Sequence, residues 1–149
     1  MPQSSMVNEI YSNIYTDGLP EAAREIREKV FIREQGFQDE FDSVDVEAAH
    51  IVVYRNEKQP AATCRVFWDE EKQSYVLGRL AVCREYRGTN LGAAAVERAE
   101  RYICEKGGCR VALHAQCRVR AFYEKLGFTV FGEPDEEEGC PHIWMEKEL

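Results

Sequence analysis

Residues 76–96 read VLGRLAVCREYRGTNLGAAAV, and this stretch decides the fold and indicates a kind of ligand. The apolar run at 76–82 predicts a buried strand, and the segment from about residue 89 predicts a helix. The loop between them carries Arg87, Gly88 and Gly92. A strand that enters a helix through such a loop leaves amide N–H groups unpaired beside the positive end of the helix dipole. The sequence therefore predicts a binding site for a phosphate or diphosphate group.

The order of residues in this loop narrows the choice of motif. Arg87 adds a fixed positive charge and a planar set of donors. The loop lacks the Gly-Lys-Ser/Thr ending of a P-loop and the three spaced glycines of the dinucleotide fingerprint. RGTNLG at 87–92 resembles instead the Arg/Gln-x-x-Gly-x-Gly/Ala loop of the GNAT superfamily of N-acetyltransferases. Asn90 stands where that family usually has its middle glycine, and Asn tolerates a left-handed backbone better than most residues.

The resemblance extends over most of the chain. Residues 112–128 read ALHAQCRVRAFYEKLGF, which resembles the family's later strand–helix segment with its Phe-Tyr-x-x-x-Gly-Phe ending. VFIREQG at 30–36, EAAH at 47–50 and GCPH at 139–142 are similar to the ElaA-like branch. Together the matches cover roughly residues 19–149. The resemblance implies the GNAT fold, an α/β arrangement with a central mixed β-sheet flanked by helices.

Periodicity and turn residues predict the same order of elements, β-α-(α)-β-β-β-α-β-α-β-β. Strands are expected at 9–16, 50–54, 61–68, 75–82, 109–115, 128–132 and 143–147. Helices are expected at 19–35, 89–106 and about 119–126, with a loop or short helix at 38–47. The segment 133–139 is rich in carboxylates and is expected to be an acidic loop.

Composition fits a single domain of 149 residues, with 1–8 as a disordered tail. The formal charge of −8 argues against a nucleic-acid ligand. No apolar run is long enough for a membrane span, and residues 1–8 lack the features of a signal peptide. Six cysteines without a Cys-x-x-Cys pair favour reduced thiols, no metal site and a cytoplasmic location.

The resemblance implies that acetyl-CoA is the cofactor and CoA the product. In GNAT enzymes the pantetheine arm lies beside the strand before the loop, which corresponds here to the main chain of Leu80, Ala81 and Val82. The diphosphate rests on the loop, which implies contacts from Arg87, Gly88, Thr89, Asn90, Leu91 and Gly92. Gln116 falls where the family often has an Asn that contacts the cofactor.

Acetyl transfer to an amine requires two changes of protonation state. The amine must lose a proton before it attacks, and the leaving thiolate must be protonated or stabilised. The resemblance places Tyr123 near the sulfur, where its hydroxyl can act as the acid. Packing is the alternative role, because Tyr123 also extends an apolar stripe with Val119, Phe122 and Leu126.

The sequence leaves the base and the acceptor contacts open. Each of the three histidines, His50, His114 and His142, can titrate near neutrality. His142 resembles a residue that the ElaA-like branch places near the acceptor pocket, so it is the preferred catalytic candidate. His114 lies in the strand expected to border the acetyl group, and Glu34 ends the first helix. We expect these two to contact the acceptor, and a water chain is an alternative base.

These expectations lead to one main hypothesis and two alternatives. The main hypothesis is an N-acetyltransferase in which a small-molecule or peptide amine attacks acetyl-CoA directly in a ternary complex. No metal or covalent acyl-enzyme is required, since no His/Asp arrangement activates Cys117. The alternatives are a non-catalytic module that binds acetyl-CoA or CoA, and a structural interaction domain. Homodimers are frequent in the family, so a homodimer is also considered.

Overall fold

The computed structural model describes residues 10–38, 40–56 and 59–149. Its strands are β1 (Ile10–Tyr15), β2 (Ala49–Arg55), β3 (Gln59–Asp69), β4 (Ser74–Val82), β5 (Arg110–Gln116), β6 (Thr129–Glu137) and β7 (Cys140–Glu148). They form one seven-stranded sheet in the order β1-β2-β3-β4-β5-β7-β6. Only the β4–β5 pair is parallel, so the predicted mixed sheet is confirmed. The predicted tail, residues 1–8, lies outside the described residues.

Helices flank this sheet in the predicted order. They are α1 (Glu21–Arg27), α2 (Val44–Glu47), α3 (Leu91–Glu105) and α4 (Arg120–Lys125), with 3₁₀ turns at Arg84–Tyr86 and Cys117–Val119. Among the described residues, no helix is long and apolar enough to cross a membrane.

The sheet separates two clusters of buried side chains. Ile51 and Val53 of β2 belong to the larger cluster and Val52 to the smaller one, because successive side chains of a strand point to opposite faces. α3 covers the larger cluster and α1 the smaller. The apolar face of α3 is buried at Leu91, Ala95, Ala99 and Ile103.

The first helix differs from the α-helix expected at 19–35. It begins at Glu21, and beyond Arg27 it continues as a π-helix at Glu28–Glu34. The amide of Gln35 donates to the carbonyl of Val30 at 3.1 Å, which is the wider i→i−5 pattern. Gly36 follows with φ 81°, a left-handed conformation that is typical of the residue after a helix. Short π-helical segments frequently lie at functional sites.

The acidic segment 133–139 is not the loop that its composition predicted. β6 continues through Glu137 and pairs with β7, with Asp135 opposite His142. The prediction was wrong because carboxylates, Pro and Gly are typical of loops, whereas cross-strand pairing with β7 fixes this segment as a strand. The register shifts between Phe131 and Asp135, and β6 is an edge strand, where charged side chains protect against pairing with other chains.

The cysteines are all free thiols. The sequence places Cys64 and Cys83 in strands and Cys104 late in a helix, where small residues are expected to be buried. Cys64 and Cys83 are buried, and burial raises the pKa of Cys64 to about 12. Cys104 is exposed, contrary to that expectation. It lies in the last turn of α3, one residue beyond the buried face that ends at Ile103.

A buried ion network fixes the segment between α1 and β2. Arg27 is 1% exposed and donates to Glu40 through Nε and to Asp45 through a terminal nitrogen, both at 2.8 Å. Arg65 of β3 donates to Asp42 at 2.7 Å and to Asp45 at 2.9 Å. Burial acts to raise the pKa of Asp45, but the hydrogen bond and charge of Arg27 outweigh it and hold that pKa well below its usual range.

Replacing Arg27 with leucine should lower the free energy of unfolding by about 3–5 kcal/mol, because Glu40 and Asp45 would stay buried without the guanidinium group that bridges them. Urea denaturation of both proteins measures the difference. Arg33→Leu is the control, since Arg33 is an exposed cation of the same helical segment, and it should change stability by less than about 0.5 kcal/mol. Equal stabilities for the two variants would contradict a structural role for the network.

Candidate active site

The centre of the sheet opens between β4 and β5. The two strands pair only where Tyr75, Val76 and Leu77 face Val111, Ala112 and Leu113. On the other side of β4, the pairing with β3 shifts between Thr63 and Arg65, and Arg79 has a φ of 55°. Such a bulge bends a strand away from its neighbour. Beyond Leu77, the edge of β4 that faces β5 is therefore available to a ligand.

Two cavities flank this opening, and three residues line both of them: Leu80, Val119 and Tyr123. The first, which we name the loop cavity, has a volume of about 430 Å³ and borders the turn before α3. The second, the aromatic cavity, has a volume of about 240 Å³ and includes Phe31, Phe37, Phe67 and Trp144 in its wall. The shared residues make Tyr123 part of the junction between them.

The loop cavity gathers most of the residues predicted to bind the cofactor. Its lining includes Leu80, Ala81, Val82, Arg87, Gly88, Asn90, Leu91 and Gly92. Thr89 does not line it, and its hydroxyl donates to the carbonyl of Tyr86 instead. Gln116 lines the aromatic cavity, where its amide donates to Gln35 at 2.9 Å and its oxygen accepts from Arg118 at 2.8 Å.

The backbone conformation at the start of α3 is that of a candidate anion site. Gly88 has φ 82° and Asn90 has φ 67°, so Asn90 takes the left-handed conformation that the sequence suggested it could tolerate. The first intrahelical bond runs from Ala94 to Asn90, so the preceding amides of the first turn have no partner within the helix. A Cβ at Gly92 would lie 3.3 Å from Phe122, so glycine permits close packing here.

Arg87 contacts the last turn of the first helical segment. Its terminal nitrogens donate to the two carboxylate oxygens of Glu34 at 2.6 and 2.8 Å, and its Nε donates to the carbonyl of Val82 at 2.9 Å. The hydrogen bond from Arg87 lowers the pKa of Glu34. Glu34, predicted to contact the acceptor, thus lines the loop cavity and not the aromatic cavity.

His142 projects from β7 into the wall of the aromatic cavity and is 6% exposed. Its Nδ1 lies 2.8 Å from the carbonyl of Cys140. A carbonyl only accepts, so Nδ1 carries a proton, and in the neutral form of the ring the lone pair is on Nε2. No described residue is hydrogen-bonded to Nε2, which makes this nitrogen a candidate proton acceptor.

His114 lies beside His142 in a different environment. Its Nε2 is 2.7 Å from Asp135 and its Nδ1 is 3.3 Å from Glu137. Its ring stacks on His142 at 4.7 Å and on Trp144 at 4.8 Å. Both nitrogens of His114 therefore face carboxylates, so within this pair only His142 has a ring nitrogen without a hydrogen-bond partner among the described residues. The sequence alone placed Asp135 only in an acidic loop, because its contact with His114 depends on the pairing of β6 with β7.

His50 is separate from this pair. It does not line either cavity. Its Nε2 is 2.9 Å from the carbonyl of Asp45, and burial lowers its pKa. The contact ties β2 to the segment that carries the ion network, which is a structural role.

His114, Glu137 and His142 also bring three potential metal ligands within 4.8 Å of one another. The two imidazole rings are stacked with an interplanar angle of 29°. Asp135 and Glu137 contact the two ring nitrogens of His114, so His114 would have to exchange one of these carboxylate contacts to bind an ion.

Tyr123 is 7% exposed, and its ring packs edge-to-face on Phe122 and Phe128. Burial raises the pKa of its hydroxyl well above its usual range, so the hydroxyl stays protonated near neutral pH. The apolar stripe predicted from the sequence packs in the larger buried cluster, where Val119, Phe122 and Leu126 accompany Tyr123. This packing holds the Tyr123 ring at the junction of the two cavities.

Comparison with known proteins places these features in a family. The model of the acetyltransferase (GNAT) domain matches residues 16–149. YyaT of Bacillus subtilis (strain 168) is 36% identical over 134 residues, which cover 85% of this chain and 87% of YyaT. Protein ElaA of Escherichia coli (strain K12) is 30% identical over 135 residues, 86% of either chain.

Solved structures agree in fold. The crystal structure of Escherichia coli ElaA has a TM-score of 0.80 and covers 94% of this chain and 100% of its own, at 28% identity. An aminoglycoside 6′-N-acetyltransferase solved in complex with coenzyme A has a TM-score of 0.70 over 93% of this chain and 96% of its own. At 14% identity, that second likeness concerns the fold alone.

Substitutions at Asn90 test the left-handed turn of the loop. Asn90→Val should lower the free energy of unfolding by about 1–2 kcal/mol, because a β-branched residue clashes at positive φ. Asn90→Gly should stay within about 0.5 kcal/mol of the wild type, since glycine adopts this conformation without a steric cost but adds freedom to the unfolded chain. Urea denaturation measures both. Equal stabilities would show that residue 90 does not hold a left-handed conformation in solution.

Proposed function

The chain belongs to the GNAT acetyltransferase family and is an acyltransferase, and from this premise we propose that it transfers the acetyl group of acetyl-CoA to a primary amine. The amine attacks the thioester directly while both substrates are bound. One observation carries the proposal: the loop cavity and the aromatic cavity meet at Leu80, Val119 and Tyr123. A cofactor in the first cavity can present its thioester to an acceptor in the second.

The loop cavity supplies the groups that acetyl-CoA needs. Unpaired amides at the start of α3 and the charge of Arg87 suit the diphosphate. The free edge of β4 beyond Leu77 offers main-chain donors and acceptors to the amide groups of pantetheine. Membership of the acetyltransferase family supports acetyl-CoA as the cofactor. Leu80, Ala81 and Val82 line the cavity along this edge.

We assign the general base to His142. Its Nε2 has a lone pair and no bonded partner among the described residues, and its ring lines the aromatic cavity. An incoming ammonium group can lose a proton to Nε2, directly or through one water, and then attack the carbonyl carbon of the acetyl group. His114 keeps the His142 ring in place by stacking, and Asp135 and Glu137 hold His114.

Tyr123 stabilises the leaving thiolate. The reference pKa of a thiol is about 8.5, and burial raises that of Tyr123 above its own ordinary value. Complete proton transfer from this hydroxyl to the thiolate sulfur would therefore be thermodynamically unfavourable. A hydrogen bond from the protonated hydroxyl is the more favourable contribution, because it strengthens as negative charge develops on sulfur.

The acceptor is a cationic amine, either a small molecule or the exposed amine of a peptide. Glu137 lies in the wall of the aromatic cavity with the two histidines, and Asp135 is bonded to one of them. Carboxylates and aromatic rings both favour a positively charged group before it is deprotonated. The six free thiols agree with a reducing, cytoplasmic location.

Calorimetric titration with acetyl-CoA tests the cofactor assignment. The wild type should bind in the micromolar range, and Arg87→Ala should bind about tenfold more weakly or worse, because a charge-assisted contact with the diphosphate is lost. Arg33→Ala is the control for charge on a nearby exposed surface, and it should bind as the wild type does. If the wild type did not bind acetyl-CoA, the enzymatic proposal would fail and a structural or interaction role would replace it.

The pH dependence of kcat/KM tests His142. With an acetylatable amine, the wild type should show a limb in which the rate rises with pH as the base loses its proton. His142→Gln should lower kcat/KM by about 10²-fold or more and remove the part of that limb due to the imidazole. His50→Gln is the control, because His50 lines neither cavity. A variant at position 142 with the wild-type profile would exclude this residue as the base.

A further inference from the structure

The contact between Arg87 and Glu34 affects how a cofactor can bind to Arg87. The two residues are 53 positions apart in the chain, and both carboxylate oxygens of Glu34 accept from Arg87. The Glu34 side chain is 24% exposed and that of Arg87 39% exposed. The ion pair is therefore accessible to solvent and lies in the wall of the loop cavity.

A guanidinium group offers an anion two good bidentate faces. One consists of its two terminal nitrogens, and Glu34 occupies it with contacts of 2.6 and 2.8 Å. The other requires Nε, and Nε donates to the carbonyl of Val82 at 2.9 Å. A phosphate group that binds Arg87 in bidentate fashion must displace one of these two acceptors.

Glu34 is the acceptor that can be displaced at the lower cost. It is a side chain at the end of a helical segment, whereas the carbonyl of Val82 belongs to the backbone of β4. Its negative charge also opposes a diphosphate at close range. The hydrogen bond from Arg87 is the largest influence on the pKa of Glu34 and lowers it. The charges of Arg84, which lies 3.8 Å from the same carboxylate, and of Arg118 lower this pKa further. Glu34 therefore stays ionised near neutral pH.

We propose that Glu34 is an internal ligand of the cofactor-binding arginine, which the diphosphate of acetyl-CoA displaces on binding. This inference rests on the proposed function, since it takes the loop cavity as the acetyl-CoA site. Glu34 holds Arg87 in place before the cofactor arrives and lowers the affinity of the site for diphosphates. It is thus an affinity-determining residue of the cofactor site and not a contact for the acceptor.

The π-helical segment supplies the geometry for this contact. The wide turn closed by the bond from Gln35 to Val30 places Val30 and Glu34 in the wall of the loop cavity, while Phe31 lines the aromatic cavity. One segment therefore contributes to both cavities. Any movement of Glu34 away from Arg87 occurs next to the entrance of the cofactor site.

Calorimetric titration of Glu34→Gln with CoA tests the proposal. The amide has the shape of the carboxylate but no charge, so it competes less strongly for Arg87. The dissociation constant for CoA should fall about two- to fivefold, the range expected for an exposed ion pair. Glu85→Gln is the matched control, because it removes the same charge near Arg87 from a residue that is not hydrogen-bonded to it. The decrease should exceed that of the control.

The outcomes separate this inference from the proposed function. One outcome is that the wild type binds CoA while Glu34→Gln binds it no more tightly than Glu85→Gln does. In that case Glu34 does not compete with the diphosphate for Arg87, and this inference fails while the proposed function stands. Weaker binding by Glu34→Gln would likewise overturn it, since Glu34 would then help to position Arg87 for the diphosphate. If neither protein binds CoA, the proposed function fails and this inference fails with it.

Discussion

The separation of β4 from β5 is the constraint on which the rest of the molecule depends. After only three paired positions, ending at Leu77 and Leu113, the two central strands stop sharing hydrogen bonds. Unpaired backbone groups in the middle of a sheet are costly unless a ligand or water satisfies them. The same groups form the edge along which an extended ligand can bind. The centre of the sheet therefore lacks strand pairing beyond Leu77, and the unpaired edge is available to a ligand.

Other features of the fold hold this opening in place. The positive φ of Arg79 bends β4, and the Arg79 side chain donates to the carbonyl of Glu40 at 3.0 Å. Glu40 in turn accepts from buried Arg27 of α1. The ion network thus links the bent strand to the first helix. Because its charges are buried, loss of one partner costs far more than loss of a surface pair.

Local signals in the sequence were sufficient to predict the order of the secondary-structure elements and the loop at residues 87–92. The strand, glycine turn and helix of residues 76–96 depend on neighbours in the chain, and the order of elements followed from periodicity. Features that depend on long-range pairing were not accessible. The partner of Arg87 lies 53 residues away, and the strand character of residues 133–137 depends on pairing with β7. Arg27 sits in an amphipathic helix where an arginine is usually solvated, yet it is buried.

In the proposed reaction both substrates meet at Tyr123, and the decisive measurement is the steady-state turnover of Tyr123→Phe together with its affinity for acetyl-CoA. The substitution removes one oxygen atom from the junction and preserves the ring that packs in the core. We expect kcat to fall about 10²-fold, the loss typical of a hydrogen bond made to developing charge, while the dissociation constant for acetyl-CoA stays within about twofold of the wild-type value. Turnover close to that of the wild type would show that the thioester reacts away from this hydroxyl and that the substrates do not meet there.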